Sequence, residues 1–396
     1  MMQEVTRVPE NVVQKPSLGG LFTTFLRLGL IAFGGPAAMV HIRNTVVEKK
    51  KWIGKEVFRN GMALCQTIPG ATGMQLCAYV GLQARGFAGA LVCYVGFILP
   101  SFALMMALSA LYAAFQAVPF VVSVFGSLRA LIVALMAFGA WNFGKSYLKK
   151  WEDFLIAIAA AALFWFGLGP VWVLVIAAAL GIALKFRRAT EVPKQSGSNH
   201  LFVAMRGLVI LLAVVVALLI VFFFTDRRLF DLALLMMKVD FFAYGGGAGS
   251  IPLMLHEVVD LRHWMTTATF MDGIALGQVT PGPIVITATF VGSILQGALG
   301  GIVASGGVFL PSFVLVILIT PFFSKLQTLP LFRKAIDGVL CSFVGLILSV
   351  ALRMGLGVAW DLPRILLALG AFAALILRVE ALWVILAGVG ISFFVH

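Results

Sequence analysis

Four short motifs rich in Gly and Pro interrupt otherwise apolar stretches of this 396-residue chain. They are Phe33-Gly34-Gly35-Pro36, Ile68-Pro69-Gly70-Ala71-Thr72-Gly73, Tyr244-Gly245-Gly246-Gly247 and Thr280-Pro281-Gly282-Pro283. Gly opens backbone conformations closed to other residues, while Pro lacks an N–H and disfavours a helical residue before it. A helix is expected to break at each motif. The helix starting just beyond a break presents unpaired N–H groups and the positive end of its dipole, which together suit an anion. The competing reading is that the motifs only permit kinks and close helix packing. Their number and matching places favour a site.

Polar side chains near the breaks extend the candidate set. Gln66 and Gln278 each stand three residues before a Pro-Gly, and an amide can donate or accept. Capping of broken backbone is the alternative role. Thr67, Thr72, Thr280 and Thr287 offer hydroxyls, although Thr often bonds its own helix backbone. Arg27 and Lys238 occupy equivalent places in their segments, and a symmetric pair of cations suits a dianion. Both also lie near segment starts, where long cationic side chains snorkel to the interface. The substrate-binding candidates are thus Arg27, Gly34, Gly35, Gln66, Gly70, Ala71, Thr72, Lys238, Gly245, Gly246, Gln278 and Gly282. Asp240 and Asp272 are the deepest acids of the second half and are candidates for carrying a coupling proton. A salt bridge to Lys238, or a place at a hairpin end, is the alternative for them.

Composition sets the medium in which these residues work. Hydrophobic residues make up 61% of the chain and charged residues 11%, with mean hydropathy +1.06. A soluble domain cannot hide that much apolar surface. Apolar stretches such as Phe87 to Phe115 and Leu208 to Phe224 match the roughly 20 residues needed to cross a bilayer. The expected class is an all-α polytopic membrane protein. The net charge of +13 is read as Lys and Arg gathered in cytoplasmic loops, not as a nucleic-acid surface. The same field would attract an anionic substrate. Cys65, Cys77, Cys93 and Cys341 read as buried small hydrophobes, and the scattered histidines lack metal-ligand spacing. No metal and no cofactor are expected. No Walker-type phosphate loop is present, so energy must come from a gradient or the membrane potential.

The chain also repeats itself. Shifted by about 211 residues, Gly34-Gly35 falls on Gly245-Gly246 and Leu99-Pro100-Ser101-Phe102 on Leu310-Pro311-Ser312-Phe313. With a slip of one residue, Trp52, Gly61, Gln66 and Pro69-Gly70 fall on Trp264, Gly273, Gln278 and Pro281-Gly282. The expected units are an N-terminal repeat (18–187), a polar linker with a connecting span (188–228), and a C-terminal repeat (229–395). One span between two equal units inverts the second. Inverted repeats with sites near the midplane are a common transporter architecture. The lysine-rich loop Lys49-Lys50-Lys51 must lie inside, which fails if every segment crosses fully. Re-entrant hairpins turning at the Gly/Pro motifs repair the pattern and give about 13 membrane segments. Arg353 and Arg364, placed outside, fit this scheme worst.

An FGGP motif, a Pro-Gly turn after a Gln, a Leu-Pro-Ser-Phe and their repetition make the chain resemble the chromate ion transporter family in its long two-domain form. The resemblance covers essentially the whole chain. The family's Gly-Pro signatures match Phe33 to Pro36 and Thr280 to Pro283. Pro69-Gly70-Ala71 stands where a Pro-Gly-Pro is expected, and Gly247 replaces the proline of the first motif. The resemblance implies chromate export across the bacterial inner membrane, with chromate resistance as the consequence. Sulfate, of the same shape and charge, is the natural competitor, and a broader oxyanion exchanger is the runner-up. The implied partners are chromate and the lipid bilayer, with a homodimer as one option and no nucleic acid. An intramembrane lipid-acting enzyme would need convergent acids or a nucleophile–base pair, which isolated Asp and His do not supply. If Arg27 and Lys238 balance substrate charge, changing either to Ala is expected to cut chromate efflux in vesicles. Unimpaired transport at normal expression would remove them from the site.

Overall fold

A computed structural model describes residues 16–31, 35–184 and 201–395. Gly34 therefore lies outside the described residues. The described chain is helical and contains no strand. In the first repeat the helices are α1 (Leu18–Ile31), α2 (Gly35–Arg43, continued by a π-helical turn Asn44–Lys49), α3 (Lys55–Thr67), α4 (Thr72–Phe115), α5 (Pro119–Tyr147), α6 (Trp151–Trp165) and α7 (Pro170–Leu184). A connecting helix, α8 (Leu201–Thr225), follows. The second repeat contains α9 (Arg227–Phe242), α10 (Gly247–Met254, continued by a π-helical turn Leu255–Leu261), α11 (Thr267–Val279), α12 (Thr287–Ile319), α13 (Phe323–Leu326), α14 (Pro330–Leu356), α15 (Leu362–Ile376) and α16 (Ala381–Val395).

The repetition in sequence is a repetition in backbone. Two residues beyond each π-helical turn stands a non-glycine residue with positive φ, Lys51 (52°) and His263 (50°). The next N–H reaches back in the same way, from Trp52 to the Val46 carbonyl and from Trp264 to the Val258 carbonyl, both at 2.8 Å. Helix α4 turns sharply at Arg85-Gly86 and α12 at Gln296-Gly297, with φ near +60° at each glycine. Each is thus a short arm and a long arm. The arms touch through glycines: a Cβ on Gly81 would strike the Gly89 carbonyl, and one on Gly292 the Gly300 carbonyl.

The short arms complete hairpins. Gly61 on α3 faces the Tyr79 ring on α4, equally far from the Pro69-Gly70 turn; Gly273 on α11 faces the Phe290 ring on α12 about Pro281-Gly282. A helix pair meeting at equal distances on either side of its turn is antiparallel. The chain therefore doubles back at both Pro-Gly motifs.

The two repeats pack through their equivalent long arms, which run in opposite directions. Phe87 meets Phe313 edge-on with ring centroids 5.8 Å apart, Tyr94 meets Phe309, and Met106 lies against Gly301. Each repeat's last two helices pack on the long helix of the other. A Cβ on Gly338 of α14 would hit α7, one on Gly345 of α14 would hit α6, and one on Gly388 of α16 would hit Leu131 of α5. Small residues allow such close approach, from which helix association in lipid draws its dispersion energy.

Around this core lies an apolar exterior. Among the described residues, five helical stretches are long and apolar enough to cross a membrane: Thr72–Phe115, Pro119–Tyr147, Met205–Thr225, Ile284–Ile319 and Pro330–Leu356. Few residues of α8 are fully buried, and exposed apolar side chains such as Val209, Val216 and Phe224 offer a face to lipid, while Gly207 packs on Phe87 of α4. The chain is a multi-pass membrane protein. Arg353 and Arg364 do not stand as bare charges. Arg353 binds Asp260 at 2.9 Å and the Phe164 carbonyl at 2.7 Å, and Arg364 binds the Ala359 carbonyl at 2.6 Å and Asp361 at 3.3 Å.

Gly345→Val is expected to lower the thermal unfolding midpoint of the detergent-solubilised protein, because overpacking costs about 1–3 kcal/mol. Gly306→Ala, where an added Cβ meets nothing within 4 Å, is expected to leave it unchanged.

Candidate functional site

The turn at Pro69-Gly70 is built for glycine. Gly70 has φ +116°, and a Cβ there would collide with the Ser312 hydroxyl. Its N–H donates to the Ala243 carbonyl at 2.6 Å, and the next N–H, of Ala71, donates to Ser312 Oγ at 2.9 Å. The Pro69 carbonyl accepts from Gln75 Nε2 at 2.5 Å. The turn at Pro281-Gly282 mirrors it. Gly282 has φ +106°, a Cβ there would strike the Ser101 hydroxyl, and that hydroxyl donates to the Pro281 carbonyl. The serine of each Leu-Pro-Ser-Phe motif thus holds the turn of the opposite repeat.

These latches bring the breaks together. A Cβ on Gly246 would come within 3.5 Å of Thr72 Oγ1, and one on Gly247 within 3.3 Å of the Ile284 N and 3.4 Å of the Val285 N. The starts of α4, α10 and the 3-10 turn Ile284–Ile286 leading into α12 therefore meet. Gly245 and Gly246, with φ +82° and +80°, make the close approach of the third break. The N–H groups of Gly70 and Ala71 are already engaged, so the donors left to face an anion are those starting the helices beyond.

The charged candidates do not gather at this meeting point. Lys238 on α9 binds Glu257 at 2.6 Å, and Arg262 binds the same carboxylate. Glu257 is buried and balances Lys238, so the alternative of a bridge from Lys238 to Asp240 or Asp272 is not the one formed. Arg27 lies exposed on α1, Gln66 is exposed on α3, and Gln278 on α11 is half-buried. Gln75, on the far side of the turn, binds the broken backbone that Gln66 was expected to cap. Thr67, Thr280 and Thr287 bond carbonyls of their own segments, leaving Thr72 as the threonine at the junction.

The two candidate acids differ sharply. Asp272 is held by both Arg129 nitrogens, Nε and Nη2, at 2.8 Å, and by the Tyr112 hydroxyl at 2.8 Å. This buried fork joins α11 of the second repeat to α4 and α5 of the first. Asp240 on α9 is fully buried. Its Oδ2 accepts the Ser312 N–H at 2.7 Å, and its Oδ1 has no hydrogen-bond partner among the described residues. Ser312 follows Pro311, whose ring disrupts the helical ladder, so its N–H turns to Asp240. Among the described residues no cluster of His, Cys, Asp and Glu could hold a metal. A hollow of about 600 Å³ between α5, α15 and α16 is lined by apolar side chains such as Leu131, Leu366 and Trp383, and includes none of the turn residues.

Sequence reasoning placed the site at the breaks but missed the groups that hold them. Ser101 and Ser312 carried a signal, since they recur in the same tetrapeptide of both repeats. Gln75, Arg129 and Glu257 have no counterpart of like chemistry in the other repeat, so repetition cannot single them out.

Arg129→Ala is expected to destabilise the protein by about 3–5 kcal/mol, because it strands a buried carboxylate. The additional change Asp272→Leu is expected to recover much of that loss, read by thermal unfolding in detergent.

Comparison with known proteins gives the geometry its family. The model of a family described as Chromate transporter matches residues 19–182 and again 230–393. The chain is 39% identical over 386 residues to an uncharacterized transporter of Methanocaldococcus jannaschii, covering 96% of this chain and 95% of that one. It is 30% identical to the chromate transport protein of Cupriavidus metallidurans, over 91% of this chain and 88% of that one. It is 31% identical to the chromate transport protein of Pseudomonas aeruginosa, over 92% and 88%. No solved structure matches it. A family model found once in each repeat, with relatives aligned along nearly the whole chain, leads to one conclusion: the chain belongs to the chromate transporter family.

Proposed function

We propose that this chain is a secondary transporter that exports chromate across the bacterial inner membrane and so confers chromate resistance. The observation that carries the reading is the junction of three helix starts beside Thr72, Gly246 and Ile284. Helix N-termini that converge away from water replace the hydration of a small anion. The names borne by the relatives give that anion its identity.

The units are the repeats 18–187 and 229–395, with 188–228 connecting them, and the second is inverted in the bilayer. The opposed direction of the equivalent long arms supports this, as does the doubling back at both Pro-Gly turns. Counting re-entrant hairpins, about 13 segments enter the membrane. Gly35, Gly70, Ala71, Thr72, Gly245, Gly246 and Gly282 shape the site, with Gln278 beside it. Arg27, Gln66 and Lys238 line the approach and draw the dianion inward. Rocking of one repeat against the other exposes the junction to each side in turn. A gradient supplies the energy, with Asp240 as the acid at membrane depth able to take part, while Asp272 is held by Arg129 and Tyr112.

Inside-out vesicles carrying the protein are expected to accumulate chromate when energised, and excess sulfate to compete. Gly282→Ala is expected to abolish the flux, since it strains the backbone and pushes Ser101 from its latch. Chromate flux no greater than in vesicles lacking the protein would overturn the reading. Flux of sulfate without chromate would replace it by a sulfate transporter.

A further inference from the structure

Only one side of the latch system carries a carboxylate. At the offset relating the repeats, Gly29 on α1 stands where Asp240 stands on α9. A side chain at Gly29 is excluded, because its Cβ would strike the Phe97 carbonyl. The first repeat closes that gap with backbone contact. The second fills it with an acid that is completely buried.

Two acceptor oxygens in this neighbourhood lack donors. Asp240 Oδ1 and Gln75 Oε1 are both buried without a hydrogen-bond partner, and both side chains are completely inaccessible. Both belong to one small cluster around the first turn. Ser312 gives its N–H to Asp240 Oδ2 and accepts the Ala71 N–H on its hydroxyl. A Cβ on Gly70 would touch both that hydroxyl and Gln75 Nε2. Among the described residues no cation pairs with Asp240. The titratable groups packed nearby are Tyr94 of α4, whose hydroxyl donates to the Phe309 carbonyl at 2.6 Å, and buried Cys77. Neither supplies a positive charge.

An unpaired buried carboxylate and an unpaired buried amide oxygen are each expensive, and nearby they repel. One positive charge relieves both. Carboxylate, amide carbonyl and backbone carbonyl oxygens are hard donors unsuited to soft metals, and the single carboxylate of Asp240 balances one positive charge. We infer that Asp240 and Gln75, with Ser312 between them and the turn, form a buried site for one monovalent cation, a proton or a sodium ion, whose occupancy sets the first turn. A proton would be taken from water onto Oδ1, giving a neutral acid, and returned to water on release. Loss of the cation leaves a bare carboxylate competing for the Ser312 N–H, and the change passes through the serine hydroxyl to Ala71. Asp272 cannot play this part, since Arg129 and Tyr112 already occupy both its oxygens. The inference rests on the transport reading, because the first turn belongs to the proposed anion site.

Purified full-length protein tests the site without any chromate. Thermal unfolding is measured from pH 5 to 9 in potassium and in sodium buffer. A proton site predicts a midpoint that rises as pH falls; a sodium site predicts one that rises when sodium replaces potassium. Asp240→Asn is expected to remove that response and Gln75→Leu to weaken it. In proteoliposomes, the ratio of gradient-driven chromate flux to flux without a gradient is expected to fall about tenfold in Asp240→Asn, within the range usual for coupled sites. The same pH and sodium response in Asp240→Asn as in the unaltered protein would overturn the site. If that variant does not fold, an unaltered response in Gln75→Leu overturns it. Absence of chromate flux in the unaltered protein, with the stability response intact, would instead overturn the chromate reading and leave the cation site standing.

Discussion

Backbone polar groups have no water to bind at membrane depth, so every break in a helix there must find partners within the protein. That demand organises this molecule. The Pro-Gly turns expose N–H and carbonyl groups that their own helices cannot satisfy. The opposite repeat answers at both: Ser312 and Ala243 take the N–H groups of Ala71 and Gly70, and Ser101 binds the Pro281 carbonyl. Of these groups only the Pro69 carbonyl is bound within its own repeat, by Gln75, while the N–H groups of Gly70 and Ala71 and the Pro281 carbonyl go to the opposite repeat. The assembly of the two halves is therefore a condition for these turns to form.

Symmetry accounts for the frame, while the departures from it give the halves different work. Asp240 faces Gly29 across the relation, Asp272 faces Asn60, and Gly247 faces Pro36. The first repeat closes tightly around backbone. The second holds three buried acids among its described residues: Asp272 in the fork from Arg129, Glu257 bound by Lys238 and Arg262, and Asp240 with one open oxygen. Two identical halves would offer an anion equal paths in both directions.

The apolar exterior and the cationic groups are reconciled by local partners. Arg353 and Arg364 fit the inside-outside charge pattern worst, yet each is bound by an acid and by a backbone carbonyl, that of Phe164 near the end of α6 for Arg353 and that of Ala359 in the loop before α15 for Arg364. Cations near helix C-terminal carbonyls are favoured by the dipole as well as by the hydrogen bond. Lys238 is likewise drawn to Glu257, which lowers its worth as a fixed countercharge deep in the site and suits a role along the approach.

The sequence by itself determined the helical membrane class, the duplication and the location of the breaks. Those properties rest on apolar length, on Gly and Pro, and on matches repeated at a constant offset, all of them local or periodic. The Gly70 and Gly282 turns were legible because few residues other than glycine accept their backbone. The tertiary structure alone decided which groups answer those turns. Ser101 and Ser312 reach across roughly half the chain to their partners, and Arg129 finds Asp272 rather than Lys238 finding it. Such pairings are set by how two antiparallel arms cross in space, and no periodicity along a chain encodes a contact made by folding one half onto the other.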